Sequence, residues 1–177
     1  MIADSVRLAL PAEATQIAAL QRRAWVHQLP SGLADSMLAG IDLDAMTQSW
    51  HAAITRPPLA RFRVLAAVTE ARVVGFAVVG PNADPDADPG EDGLVAEFAV
   101  DPQAQRQGHG SRLLHACVDT LRADGFRRAT WWVRATDDAL RGFLDEAGWG
   151  PDGSHQEVGT DAGARVKLIR LHTDISA

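Results

Sequence analysis

Gln105-Arg106-Gln107-Gly108-His109-Gly110 places two glycines between an apolar run and a helix-periodic one. Glycine lets the backbone turn tightly, so several N–H groups can converge on one point beside the partial positive charge of a helix N-terminus. That chemistry holds phosphate. Spacing excludes two known phosphate loops: a P-loop needs Gly-Lys, which the chain lacks, and a dinucleotide fingerprint needs a third glycine where Leu113 stands. Just upstream, Glu97 lies one residue out of phase with Leu94, Ala96, Phe98 and Val100, which places its carboxylate on the other side of a strand. A carboxylate there could accept a proton.

The elements that must position these residues are readable from periodicity. Leu94 to Val100 reads as a strand ending at Asp101-Pro102. Ser111 is expected to cap and open a helix whose inner stripe is Leu113, Leu114, Cys117, Val118 and Leu121, stopped at Gly125-Phe126. Arg128 to Arg134 reads as a strand with Trp131 and Trp132 on opposite faces. A last helix begins near Thr136-Asp137, carries Leu140, Phe143, Leu144 and Ala147, and ends at Gly148.

Toward the N-terminus, Val6 to Leu10 suggests a first strand, and Pro11 with Glu13 suits the first turn of a helix lined by Ile17, Leu20 and Ala24. A break at 29–32 precedes one or two helices through Leu38, Ile41, Ala45, Met46 and Trp50. Trp25, Met37, Met46 and Trp50 are expected to be core residues first and pocket lining second, while His27 and His51 are expected to be exposed and inert. Phe62 to Val68 and Arg72 to Val79 form an expected hairpin across Thr69-Glu70-Ala71, with Gly75 relieving crowding in its second strand. The stretch from Gly80 to Gly93, rich in Pro and Asp, is expected to be exposed and mobile. Its Asp84, Asp86 and Asp88 do not make a calcium loop, because Pro89 and Val95 replace the required glycine and glutamate. A closing hairpin is expected from His155 to Val158 and Ala164 to His172, after a loop at Gly150 to Gly153.

Taken together, the stretch Q-R-Q-G-H-G resembles the central [QR]-x-x-G-x-[GA] motif of the GNAT superfamily of N-acetyltransferases. Upstream E-F-A-V-D-P resembles the end of that family's fourth strand, and F-L-D-E-A-G-W at 143–149 resembles its F-Y-E-x-x-G-F segment. The resemblance implies an α/β (α+β) fold with a mixed, mostly antiparallel sheet of six or seven strands, helices on both faces, and strands that splay apart at Phe98 and Trp132. It implies acetyl-CoA as co-substrate, with pantetheine along the backbone of Phe98, Ala99 and Val100. The pyrophosphate would lie on the N–H groups of Gln105, Arg106, Gln107, Gly108, His109, Gly110 and Ser111, with Asp137 and Phe143 beside the cofactor arm. Asp137 is equally explained as a helix N-cap. By the same resemblance Glu97 is the base that deprotonates an acceptor amine through water. The family's usual acid, a tyrosine, is replaced by Leu144, and the chain contains no tyrosine at all. Acetyl transfer to a primary amine of a small molecule or peptide is thus expected, with a non-catalytic acyl-CoA-binding or regulatory module as the alternative.

Length and composition set outer bounds. The 177 residues suit one domain over 1–177, and 46% hydrophobic content is ample for its core. Cys117 alone excludes a disulfide framework and reads as core filler. A net charge of −6 speaks against nucleic acid and mildly favours a cationic acceptor. No signal pattern or membrane-spanning run is present, so a cytoplasmic monomer or homodimer, without a metal or membrane partner, is expected.

Overall fold

A computed structural model describes residues 4–159, 163 and 165–176. Seven strands form one sheet in the order β1-β2-β3-β4-β5-β7-β6. They are β1 (Ser5–Leu8), β2 (Arg63–Thr69), β3 (Arg72–Pro81), β4 (Asp92–Val100), β5 (Arg128–Arg134), β6 (Gly150–Gly159) and β7 (Arg165–Asp174). Only β4 and β5 pair in parallel; every other neighbour is antiparallel. The helices are α1 (Ala14–Gln28), α2 (Ser31–Gly40), α3 (Leu43–Thr55), α4 (His109–Ala123) and α5 (Asp138–Glu146).

Two apolar clusters hold the layers together. On one face, α4 and α5 bury Leu113, Cys117, Leu121 and Leu144 against Val74, Val95, Trp131 and Leu171. On the other, α1 and α3 bury Ile17, Leu20, Met46 and Trp50 against Val64, Phe76 and Ala99. Cys117 is completely buried, and burial pushes its thiol up to about 12, which suits a packing role. Among the described residues no helix is long and apolar enough to cross a membrane.

The expected β2–β3 hairpin forms although its turn lacks the glycine such turns favour. Glu70 and Ala71 take φ of 47° and 64° between Thr69 and Arg72, the left-handed pair that a two-residue hairpin turn requires. Gly75 is needed for a close approach, since a Cβ there would lie 3.1 Å from the Ala99 carbonyl oxygen. Only Leu29 and Pro30 separate α1 from α2, so Ser31 and Gly32 of the expected break already belong to α2, and the region that follows holds two helices rather than one.

Several sequence expectations need correction. Helix α4 begins at His109, not Ser111, and its cap is Gly108 in the left-handed region at φ 82°. Gly108 offers the helix no side-chain cap. Strand β4 starts at Asp92, and a bulge between its Val95 and Glu97 pairings with β3 resets the side-chain alternation, so Val95 shares a face with Phe98. Gly150 to Gly153 belongs to β6, which is irregular between Pro151 and His155, rather than to a loop. Of the closing turn, residues 160–162 and 164 lie outside the described residues.

The acidic stretch is largely exposed, as expected, but it is pinned to the sheet at two of its acids. Arg170 of β7, with 5% of its side chain exposed, bonds Asp84 at 2.9 Å, Asp86 at 2.6 Å and Asp152 of β6 at 2.6 Å. The Trp132 indole N–H donates to Asp84 at 2.9 Å, and the Arg170 guanidinium lies 5.5 Å from the Trp132 ring centre. Asn82 is fully buried and donates to Thr130. One arginine from the far end of the chain thus gathers Asp84 and Asp86 of the loop and Asp152 of β6 over Trp132, and Arg128 shares Asp152 at 2.8 Å.

Candidate active site

Strands β4 and β5 pair only from Asp92–Arg128 to Val95–Trp131 and then separate. Beyond that point β4 stays paired to β3 through Phe98, Ala99 and Val100, so the opposite backbone edge of those three residues has no strand partner. A parallel pair opened in this way leaves backbone donors and acceptors free for an extended ligand. The start of α4 stands at the mouth of the opening. Its first-turn N–H groups lack a side-chain cap and so remain donors for an anion.

A cleft of about 1020 Å³ runs through this place. Its walls include Phe98, Ala99, Val100, Gln105, Arg106, Gly108, Gly110, Ser111, Asp137 and Phe143, ten of the expected cofactor residues. Gln107 and His109 are not on its surface. His109 is buried, 3% exposed, with Nδ1 2.8 Å from an Arg112 nitrogen; because arginine only donates, that Nδ1 accepts. Arg106 takes a left-handed φ of 62° in the turn that leads into Gly108.

The two glycines do different work. Gly108 needs its positive φ, and a Cβ on it would meet the Arg112 guanidinium at 3.3 Å. Gly110 is helical, and a Cβ there would sit 3.8 Å from Val100 and 3.9 Å from Phe143, inside the cleft. Only the first is demanded by the backbone; the second keeps the cleft open.

Side chains that the sequence reading missed also line the cleft. Arg134 reaches it from the end of β5 and pairs with Asp137 at 3.4 Å. Its position past the last β4–β5 pair was the available signal. Asp137 caps α5 by accepting from the Leu140 N–H at 3.1 Å and also lies on the cleft wall. His27, expected to be inert, lies on the cleft wall. Phe143 stacks toward Phe98, with ring centres 6.5 Å apart, and Phe98 lies 4.9 Å from Trp131.

Leu144 turns away from the cleft. It has no exposed surface and packs in the α4–α5 core cluster. The position where the resemblance puts a tyrosine is therefore filled by an aliphatic side chain sealed in apolar surroundings.

Glu97 is not on the cleft wall either. It lies on β4 against α1, where it accepts a hydrogen bond of 3.0 Å from the Gln21 amide. Burial pushes its carboxyl up to about 7, into the range in which a carboxylate can take and return protons near neutrality. Glu97 neighbours Phe98 and Ala99 of the cleft wall along β4, and α1, which carries its partner Gln21, also gives His27 and Gln28 to that wall.

No curated protein matches the chain by sequence. In structure it resembles an N-acetyltransferase from Staphylococcus aureus Mu50, at TM-score 0.77 and 16% identity over 99% of this chain and 100% of that one. It also resembles a putative acetyltransferase from Salmonella typhimurium, solved with its cofactor acetyl-CoA, at TM-score 0.75 and 18% identity over 99% and 96%. A ribosomal-protein-alanine N-acetyltransferase from Brucella melitensis follows at TM-score 0.74 and 20% identity over 96% and 99%. The sequence model of the Acetyltransferase (GNAT) family matches residues 22–149, which hold α3, the splayed strands, the glycine turn and α5, and the chain belongs to that family.

Proposed function

We propose that this chain, as one domain over 1–177, is an acetyl-CoA-dependent N-acetyltransferase that passes the acetyl group to a primary amine of a small molecule or peptide by direct attack. The observation that carries this is a single cleft that joins an unpaired strand edge, Phe98 to Val100, to an uncapped helix N-terminus at His109 to Ser111. The strand edge suits amide groups and the helix start suits a pyrophosphate, and pantetheine and diphosphate stand in that order in coenzyme A. Arg106 and Arg134 on the same walls add positive charge. The donor set fits the molecule.

Acetyl-CoA supplies an activated acyl group; the chain supplies position and proton handling. An amine must lose a proton to attack, and Glu97, with its carboxyl near 7, is the group that accepts it through water. No phenol serves the departing thiolate. A thiol with a pKa of about 8.5 leaves as the anion at modest cost near neutrality, so solvent protonation suffices. No metal is assigned, and the protein is read as a cytoplasmic monomer or homodimer.

One observation favours the alternative of a non-catalytic acyl-CoA-binding module: Leu144 is sealed in the core, so no acid stands at the tyrosine position. Thiol release from acetyl-CoA across a panel of amines separates the two. Turnover that Glu97→Gln lowers at least a hundredfold is expected for the enzyme, in line with the loss of a general base. CoA binding without turnover on any amine would establish the module instead.

A further inference from the structure

Glu97 is reached by a short chain of hydrogen bonds that crosses two helices. The indole Nε1–H of Trp50 on α3 donates to Oε1 of Gln21 on α1 at 2.9 Å, and Gln21 Nε2 donates to Oε2 of Glu97 at 3.0 Å. A side-chain amide is two-faced, and left alone it can turn either its oxygen or its NH2 group toward a carboxyl. An indole has no such freedom, because it is a donor only. Gln21 must therefore give its oxygen to Trp50 and its NH2 group to Glu97.

We propose that Gln21 and Trp50 are positioning residues for Glu97: Trp50 locks the Gln21 amide so that Glu97 is offered a donor and never an acceptor. This rests on the reading of Glu97 as the base. A locked donor has a chemical consequence. The ionised carboxylate is served by Gln21, whereas a protonated carboxyl finds no oxygen there to which its O–H can donate. The lock thus favours the carboxylate and opposes burial, which favours the acid. It also holds Oε2, leaving Oε1 without a hydrogen-bond partner among the described residues and so open to the water through which an amine proton would come.

The lock is itself rigid. Trp50 is 8% exposed and meets Phe76 of β3 edge to face, with ring centres 5.1 Å apart and planes at 71°. No charge competes with it. Of the ionisable groups on elements around Glu97, Arg22 donates to the Ile41 carbonyl and Arg23 pairs with Asp101, both on α1. His27 of α1 lies on the cleft wall, His51 of α3 is exposed, and Arg134 of β5 pairs with Asp137. Strand β3 places Val78 opposite Glu97, and among the described residues Glu97 makes no ion pair.

The test is a direct titration of the Glu97 carboxyl by NMR in full-length protein carrying 13C-glutamate, the resonance assigned by its loss in Glu97→Gln. In Trp50→Phe the ring packing is kept and the lock removed, so Gln21 can turn its oxygen toward protonated Glu97. The midpoint is expected to rise by about half a pH unit or more, roughly a threefold change in carboxylate fraction and the size expected for one hydrogen bond. Gln21→Leu removes the donor and must shift it in the same direction, which serves also if Trp50→Phe does not fold. With an active acceptor, the acidic limb of kcat/KM moves with the titration while the KM for acetyl-CoA stays put. An unchanged or lowered midpoint in both variants overturns the positioning role and leaves the base intact. Full turnover in Glu97→Gln removes the base reading itself, whatever the titration shows.

Discussion

If Glu97 is held for chemistry rather than for stability, replacing it should make the protein more stable, and only at the right pH. Its folded carboxyl titrates at about 7 against an ordinary 4.5. Below about 4.5 both folded and unfolded chains carry the neutral acid, so the residue contributes nothing differential. As pH rises toward 7 the unfolded chain ionises first, which draws the equilibrium toward unfolding by about 1.4 kcal/mol for each pH unit. Above 7 the penalty levels off at about 3 kcal/mol. Glutamine is neutral, nearly the same size, and can turn its oxygen to the Gln21 amide, so Glu97→Gln removes the penalty without removing the contact. Urea unfolding at pH 4.5, 6 and 8 should give a stability difference near zero at the first, intermediate at the second and about 3 kcal/mol in favour of the variant at the third, with unchanged slope. For a chain of this size that corresponds to a melting temperature higher by on the order of 10 °C at pH 8. Every other titrating group is common to both proteins and cancels in the difference. A difference that is flat with pH would refute the reasoning, since it would mean that the carboxyl is not held away from its ordinary range. Stability gained where turnover is lost is the mark of a residue retained for function.

Further outcomes follow from the packing. Gly110→Ala should keep or slightly raise the melting temperature, because the residue is helical, yet weaken CoA binding by calorimetry about tenfold; Gly108→Val should lose affinity and also about 1 to 2 kcal/mol of stability for its left-handed φ. Leu144→Tyr forces a ring into a site with no exposed surface and should cost about 1 to 3 kcal/mol without raising turnover; unchanged stability with faster turnover would mean that the side chain reaches the thiol after all. Arg170→Met leaves Asp152 to Arg128 and Asp84 to the Trp132 indole, removes their charged hydrogen bonds to Arg170, and should cost about 1.5 to 3 kcal/mol, with hydrogen exchange rising first in residues 82–92. Glu70→Asn with Ala71→Gly puts the favoured pair into the β2–β3 turn and should stabilise by about 1 kcal/mol in thermal unfolding; a loss would argue against the left-handed geometry there.

What could be read from the sequence was local. The stripe from Leu113 to Leu121 specifies α4 and its buried face by spacing alone, and the phosphate-like turn is legible because glycine announces an unusual backbone. Even so, the helix start was misplaced by two residues. Serine is the commoner cap, but at Gly108 the positive φ and the open donors of the first turn outweigh capping preference. The β4 bulge is not legible in the sequence because alternation carries no sign that a residue has been inserted; only pairing with β3 reveals it.

The site was half legible for the same reason. Backbone donors follow from a turn motif, whereas the partners of charged and amide side chains come from far along the chain: 76 residues separate Gln21 from Glu97, and 86 separate Asp84 from Arg170. Composition marked Asp84 and Asp86 as solvated, and by composition alone that is right, since a run of acids cannot bury itself. What composition omits is the single arginine on a neighbouring strand that pairs with both acids while Asp86 stays mostly exposed. Asp86 shows the consequence: its hydrogen bond from Arg170 holds its carboxyl down at about 2 although most of its side chain remains exposed. Two carboxyl groups on adjoining strands and loops of one small protein are thus driven in opposite directions. Asp86 is fixed in charge by a cationic partner, whereas Glu97, buried with only the neutral Gln21 amide beside it, is freed to change charge, and of the two only Glu97 can exchange a proton at neutral pH.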